Sequence, residues 1–129
     1  MAARVLRLPE QSPIDVAGVR WIPVRRPLGV SAFGTNAYRA DAGEHLIEPH
    51  TEGSSGHEEL YVVLAGSARF TVDGETFDAP QGTLVLVTPP SRRVAFAAEA
   101  NTTVLAVGGP GQGFQVSEWE TRWLGESPG

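Results

Sequence analysis

The sequence predicts a single small all-β domain whose strands close into a barrel with a ligand-sized interior. Three observations predict it. Short apolar runs recur roughly every ten residues, the spacing of a sandwich, jelly roll or barrel. Fifteen glycines and ten prolines fall between those runs as turn residues. Asp73-Gly74 stands between two strand-like runs, and both residues tolerate the positive φ of a tight hairpin turn. A length of 129 residues gives room for one core, and 41% hydrophobic against 19% charged residues is enough apolar material to fill it.

Taken in order, the first strand runs over Val19–Val24 and stops at Arg25-Arg26-Pro27. Ser31–Ala40 follows, and Asp41-Ala42-Gly43 turns the chain into the short strand His45–His50. The loop Thr51–His57 carries Gly53, Ser54, Ser55 and Gly56 and is the most flexible-looking interior segment. Glu58–Ala65 is apolar on both faces, as a strand covered on both sides should be. Tyr61 and Val63, with Phe70 and Val72 on the next strand, are expected to line the core. Leu60, Val62 and Leu64, on the opposite face, call for a cover: an N-terminal strand carrying Trp21, or a second subunit, hence an expected homodimer. Ala68–Val72 and Glu75–Ala79 flank the Asp-Gly turn, and Thr83–Val87, Val94–Ala97 and Thr102–Val107 complete the series.

Only the tail reads as helical. Ser117 followed by Glu120 fits a capping box, which predicts a helix over Ser117–Leu124. Trp119 and Trp123, four residues apart, share one face and are expected to staple the tail to the barrel. The chain thus divides into an N-terminal arm (1–18), a barrel (19–107) and a glycine-rich linker with a helical tail (108–129).

Composition narrows the function classes. The net charge is −5 with ten basic residues spread thinly, so no basic face for nucleic acid is expected. The chain has no cysteine, which removes disulfides, thiolate ligands and a cysteine nucleophile. No run approaches the ~20 apolar residues of a membrane span, and no signal-peptide pattern opens the chain, so a cytoplasmic location is expected. Gly108 to Gly113 lacks the Lys-Ser/Thr of a phosphate loop, and no serine sits in a nucleophile-elbow pattern.

The chemistry concentrates between Gly43 and Gly66. His50 and Glu52 lie two apart and can aim at one spot. Glu59 alternates with Tyr61 and Val63, which puts a carboxylate on an apolar face where it needs a cation, a donor or a proton. His57 precedes Glu59 by two in the glycine/serine loop, whereas His45 has no partner in sequence and reads as a surface residue.

These residues resemble the first motif of the cupin superfamily: Gly, a His-x-His pair, Glu, six residues, Gly. Glu59 to Gly66 reproduces its second half, and His50 fits the first histidine. A second motif starts near the Asp-Gly hairpin and Ala79-Pro80-Gln81-Gly82 and runs through Pro89-Pro90-Ser91-Arg92-Arg93. The resemblance covers about residues 32 to 107 and looks closest to small single-domain bacterial-type cupins. It implies an RmlC-like double-stranded β-helix (a jelly-roll barrel) with a short C-terminal helix, and it locates the site. The metal motif is degenerate: Glu52 replaces the second histidine, and the second-motif histidine falls at Val94 or Ala95.

Within that site His50 and Glu59, with Glu52 and His57 as further donors, are the candidate ligands for a divalent metal: iron, zinc, manganese or nickel. A contribution from Glu52 would harden the site toward manganese, magnesium or calcium. Arg92 and Arg93 offer either a solvated turn, a counter-charge for Glu59 or Glu52, or a clamp for an anionic ligand. Three readings follow. The first is a small-molecule-binding module with an incomplete metal site. The second is a metal-dependent oxygenase or isomerase. The third is a metal-independent isomerase or lyase with His50 as base and Tyr61 or a carboxylate as acid. A DNA-binding regulator ranks last, for want of a helix-turn-helix segment.

Overall fold

Side chains alternating at period two build ten strands among the described residues, 2–126 of the computed structural model. They are β1 (Ile14–Val16), β2 (Val19–Pro23), β3 (Gly34–Ala40), β4 (His45–His50), β5 (His57–Ala65), β6 (Ser67–Val72), β7 (Glu75–Pro80), β8 (Leu84–Val87), β9 (Arg93–Ala97) and β10 (Thr102–Pro110). A single helical turn, α1 (Arg25–Leu28), follows β2, and α2 (Glu118–Leu124) ends the described chain. The strands pair antiparallel in two sheets, ordered β1-β2-β3-β10-β5-β8 and β4-β9-β6-β7. This is the all-β jelly-roll barrel that the sequence predicts.

The core lies between the sheets and holds Leu46, Ile47, Tyr61, Val63, Phe70 and Val104, all buried, with Val72 packed against them. Phe70 stacks on Phe77 and tilts toward Tyr61. Asp73 and Gly74 both have positive φ, 48° and 84°, and Val72 pairs directly with Glu75 across the turn. At α2 the Ser117 hydroxyl accepts the Glu120 N–H at 3.2 Å, the first half of the expected capping box.

Four features depart from expectation. The arm contributes β1, three residues too short to show as periodicity, paired Ile14 to Trp21 on β2. Arg25-Arg26-Pro27 does not simply stop the chain but opens α1, since proline is tolerated in a first turn, and Gly29 at φ 71° closes it. Gly108, Gly109 and Pro110, expected in the linker, continue β10 against Glu59, Glu58 and His57, because backbone pairing needs no side chain. His45, expected at the surface, is half-buried with its ring 4.2 Å from that of Phe96. Met1 and residues 127–129 of the tail lie outside the described residues.

The outer face of the larger sheet is covered on one half only. Leu8 and Leu28 pack with Leu105 against Ile22, Val24 and Ala37. That cover does not extend to β5 and β8, where Leu64, Leu84 and Leu86 are exposed. Trp21 is not the cover: it pairs with Tyr38 inside the sheet. Trp119 and Trp123 do not staple the tail either, for no residue of α2 is buried. No helix among the described residues is long and apolar enough to cross a membrane.

Candidate functional site

Glu59 takes its direction from β5. It shares a face with the buried Tyr61 and Val63, so its carboxylate points into the barrel near one end. Gly108 faces it across the strand pair, and a Cβ there would meet Glu59 Cγ at 3.1 Å. His50 ends β4, where two register irregularities turn the strand so that Glu48 and His50 both reach the same cavity. Glu52 belongs to the glycine/serine loop, which is tied down rather than loose. Its N–H donates to Pro89 O at 2.9 Å, Gly56 N–H donates to Glu52 O at 2.8 Å, and the Ser55 hydroxyl donates to Glu52 Oε1 at 3.1 Å.

The ligating atoms of His50, Glu52 and Glu59 all lie within 4.8 Å of one another, and all three residues are half-buried. His50 Nδ1 donates to Glu48 O at 2.8 Å, which turns Nε2 toward Glu52 Oε2 at 3.1 Å and Glu59 Oε1 at 3.7 Å. Two carboxylate oxygens thus face one ring nitrogen, an arrangement that a cation bound among them would complete. His57 lines the same cavity but stands outside this group.

Arg93 holds the other side of Glu59. It is the largest fully buried side chain, with 0% exposure. Nη1 donates to Glu59 Oε1 at 2.7 Å and to the Tyr61 hydroxyl at 3.4 Å. Nη2 donates to Thr88 O at 2.8 Å and Ser91 O at 3.1 Å, and Nε donates to Ser91 O at 3.2 Å. All five guanidinium N–H groups are thereby engaged within the protein. Of the two arginines read as a solvated turn, a counter-charge or an anion clamp, Arg93 has no donor left and Arg92 is exposed, with its backbone N–H on Asp73 Oδ1. The structure thus points to the counter-charge role, with Arg93 on Glu59. Of the two positions marked for the lost histidine, Ala95 faces the core and Val94 does not.

The cavity measures about 270 Å³ and is lined by His50, Glu52, His57 and Glu59 together with Glu48, Tyr38, Asn36, Thr35 and the Gly34–Gly108 strand pair. The sequence reading missed Glu48, Tyr38 and Asn36 as site residues. Tyr38 and Asn36 had a usable signal, since they alternate on one face of β3. The Tyr61 hydroxyl donates to Glu59 and is buried, so the acid proposed for a metal-free reaction is already committed to a carboxylate.

Tyr38 and Tyr61 are the only tyrosines in the chain, and both phenols have their ionisation pushed well above the usual value. Burial is the largest cause for each. Glu48, Glu59 and Glu52 add to it at Tyr38; Glu59 adds to it at Tyr61, where Arg93 opposes. Because folding raises both values, the neutral phenols stabilise the fold below pH about 10, and that contribution is lost as pH rises beyond it. The native protein is therefore expected to show little phenolate absorbance at pH about 11, where the denatured chain is largely ionised. A native titration with the ordinary tyrosine midpoint would contradict this burial.

Residues 33–128 match the AraC-like ligand-binding domain family. Many solved structures share the fold. A cupin protein from Bacteroides fragilis is 18% identical over 85% of this chain and 92% of its own, with a TM-score of 0.68. An RmlC-like cupin protein from Desulfovibrio desulfuricans is 21% identical over 83% and 96%, with a TM-score of 0.68. A predicted oxalate decarboxylase from Thermotoga maritima is 16% identical over 81% and 97%, with a TM-score of 0.67. At these identities the likeness is one of fold. No curated protein matches the chain in sequence.

Proposed function

This chain belongs to the AraC-like ligand-binding domain family and has the cupin fold, and from that premise we propose that it binds a small polar molecule rich in hydrogen-bond donors, in the cavity over His50, Glu52 and Glu59. The observation that carries the reading is the saturation of Arg93. Glu59 receives its counter-charge from within the fold, and the cavity offers a ligand the acceptors of Glu48, Glu52 and Glu59 with no free guanidinium. A molecule bearing hydroxyl or ammonium groups satisfies such a wall, whereas a carboxylate is repelled by it.

Calorimetry with small polyols, amines and monocarboxylic acids tests this. Donor-rich compounds are expected to bind, and Glu52→Gln or His50→Ala to weaken them roughly ten- to a hundredfold, the worth of one charge-assisted hydrogen bond. Preferential binding of the acids would overturn it.

One observation favours a second reading, a metal-dependent oxygenase or isomerase. His50 Nδ1 is anchored on a carbonyl and its Nε2 faces two carboxylates, a donor set that fits one divalent ion. His50, Glu52 and Glu59 would hold that ion, and it would supply a Lewis acid. Near-stoichiometric iron, zinc, manganese or nickel in protein purified without chelator, lost in His50→Ala or Glu59→Gln, would put the enzyme first.

We also propose that the protein is a homodimer, supported by the apolar outer face of β5 and β8 that its own arm leaves uncovered.

A further inference from the structure

Two apolar surfaces lie exposed among the described residues, and their spacings match. One is the outer face where β5 meets β8: Leu60 pairs with Leu86 and Val62 with Leu84, while Leu64 extends the row. Leu84 and Leu86 are 60% and 59% exposed. The other is the tail, where Trp119 and Trp123 are 76% and 73% exposed and Phe114 and Leu124 are exposed as well. A face of this kind on a folded chain marks a contact.

We infer that the dimer is built by exchange: each α2 leaves its own barrel and lays Trp119 and Trp123 across the Leu84/Leu86 row of the other copy. This rests on the dimer proposed above and adds its mechanism. The spacings agree. Residues four apart on a helix rise ~6 Å, and alternate residues on a strand lie ~6.6 Å apart, so two indoles span two leucines. Pro110 ends β10 beside His57, and the segment from Gly111 to Ser117 reaches up to roughly 23–25 Å when extended.

Area favours a second copy over folding back. A covered aromatic side chain buries roughly 150–250 Å², so Phe114, Trp119 and Trp123 from two tails, with the leucines beneath them, reach the roughly 1,200–2,000 Å² of a stable interface. One tail on one barrel supplies half of that, and in the single chain none of α2 is buried. The contact is also reciprocal, as a two-fold dimer requires.

Sedimentation of the full-length protein, with circular dichroism as a check on folding, tests the exchange. Wild type is expected to be a dimer at tens of micromolar. Trp119→Ala/Trp123→Ala and, separately, Leu84→Glu are each expected to raise the dimer dissociation constant roughly thirtyfold or more, as loss of a central aromatic anchor does. Mixing the two variants decides the matter. The tail of the Leu84→Glu chain still meets the intact face of the tryptophan variant, so the mixture is expected to associate more tightly than either variant alone. If Leu84→Glu dissociates the dimer but the tryptophan variant does not, the sheet faces meet directly: the dimer stands and the exchange falls. A mixture no tighter than its components also overturns the exchange. A monomeric wild type overturns both.

Discussion

Replacing Arg93 by methionine is expected to cost about 3–5 kcal/mol of folding stability, the penalty for stranding a buried charge partner. The guanidinium has no exposed surface and all five of its N–H groups are bonded. Methionine approximates its length but leaves the Glu59 carboxylate facing the Tyr61 hydroxyl without a cation, and it takes away the side-chain donors of the Ser91 carbonyl, while Thr88 O keeps the Ser91 N–H. Urea unfolding measures the loss directly, and the thermal midpoint is expected to fall by about 10 °C or more for a domain of this size. Lysine should not rescue it, since three donors on a point charge cannot replace five in a planar fork. Adding Glu59→Gln to the methionine variant removes the stranded charge and is expected to return part of the loss, a coupling that a double-mutant cycle reads. A cost below about 1 kcal/mol, the range of an exposed ion pair, would show that Arg93 is not the counter-charge of the site.

Gly66→Ala is expected to be nearly as damaging for an unrelated reason. Gly66 links β5 to β6 at φ 73°, and a Cβ there would lie 2.4 Å from Thr102 Oγ1 and 2.8 Å from Thr102 Cα. Thr102 cannot step aside. It is fully buried, and its hydroxyl donates to Glu99 O at 2.8 Å and accepts the Ser67 N–H at 3.3 Å. Left-handed strain contributes about 1 kcal/mol and the overpacked contact about 1–3 kcal/mol more. Gly82 is the control: its φ is 88° and nothing lies within 4 Å of the same added atom. Gly82→Ala should therefore show the strain alone, and equal losses at the two positions would rule out the contact with Thr102.

Most of the barrel was legible because its signals are local. The period-two alternation of Glu59, Tyr61 and Val63, the Asp73-Gly74 turn and the Ser117/Glu120 cap each act within a few residues, and each stands where the sequence placed it. The site was legible in part. His50, Glu52 and Glu59 converge, but the side on which Arg93 falls was hidden by an inverted pattern: Ala95 and Ala97 face inward while the larger Phe96 faces out. The small residues inside β9 pair with Phe70 and Ala68 of β6, which a reading that equates bulk with burial does not anticipate. Glu48 was obscured by the irregular register of β4, which no residue type announces. The partner of Trp119 and Trp123 was misjudged because their spacing defines a face, not what that face meets.

The order of strands also bears on how the chain comes into being. In the larger sheet β10 lies between β3 and β5, so the last strand made is the one that joins the halves. Until it leaves the ribosome, β3 and β5 each present an unpaired edge of the kind that recruits strands from other chains. Closure then demands that residues 102–110 find partners as far back as residue 34, a large loop entropy to overcome before any pairing is gained. A nascent chain stalled before residue 102 would carry His50, Glu52 and Glu59 and yet leave β5, which directs Glu59, without the strand that backs it.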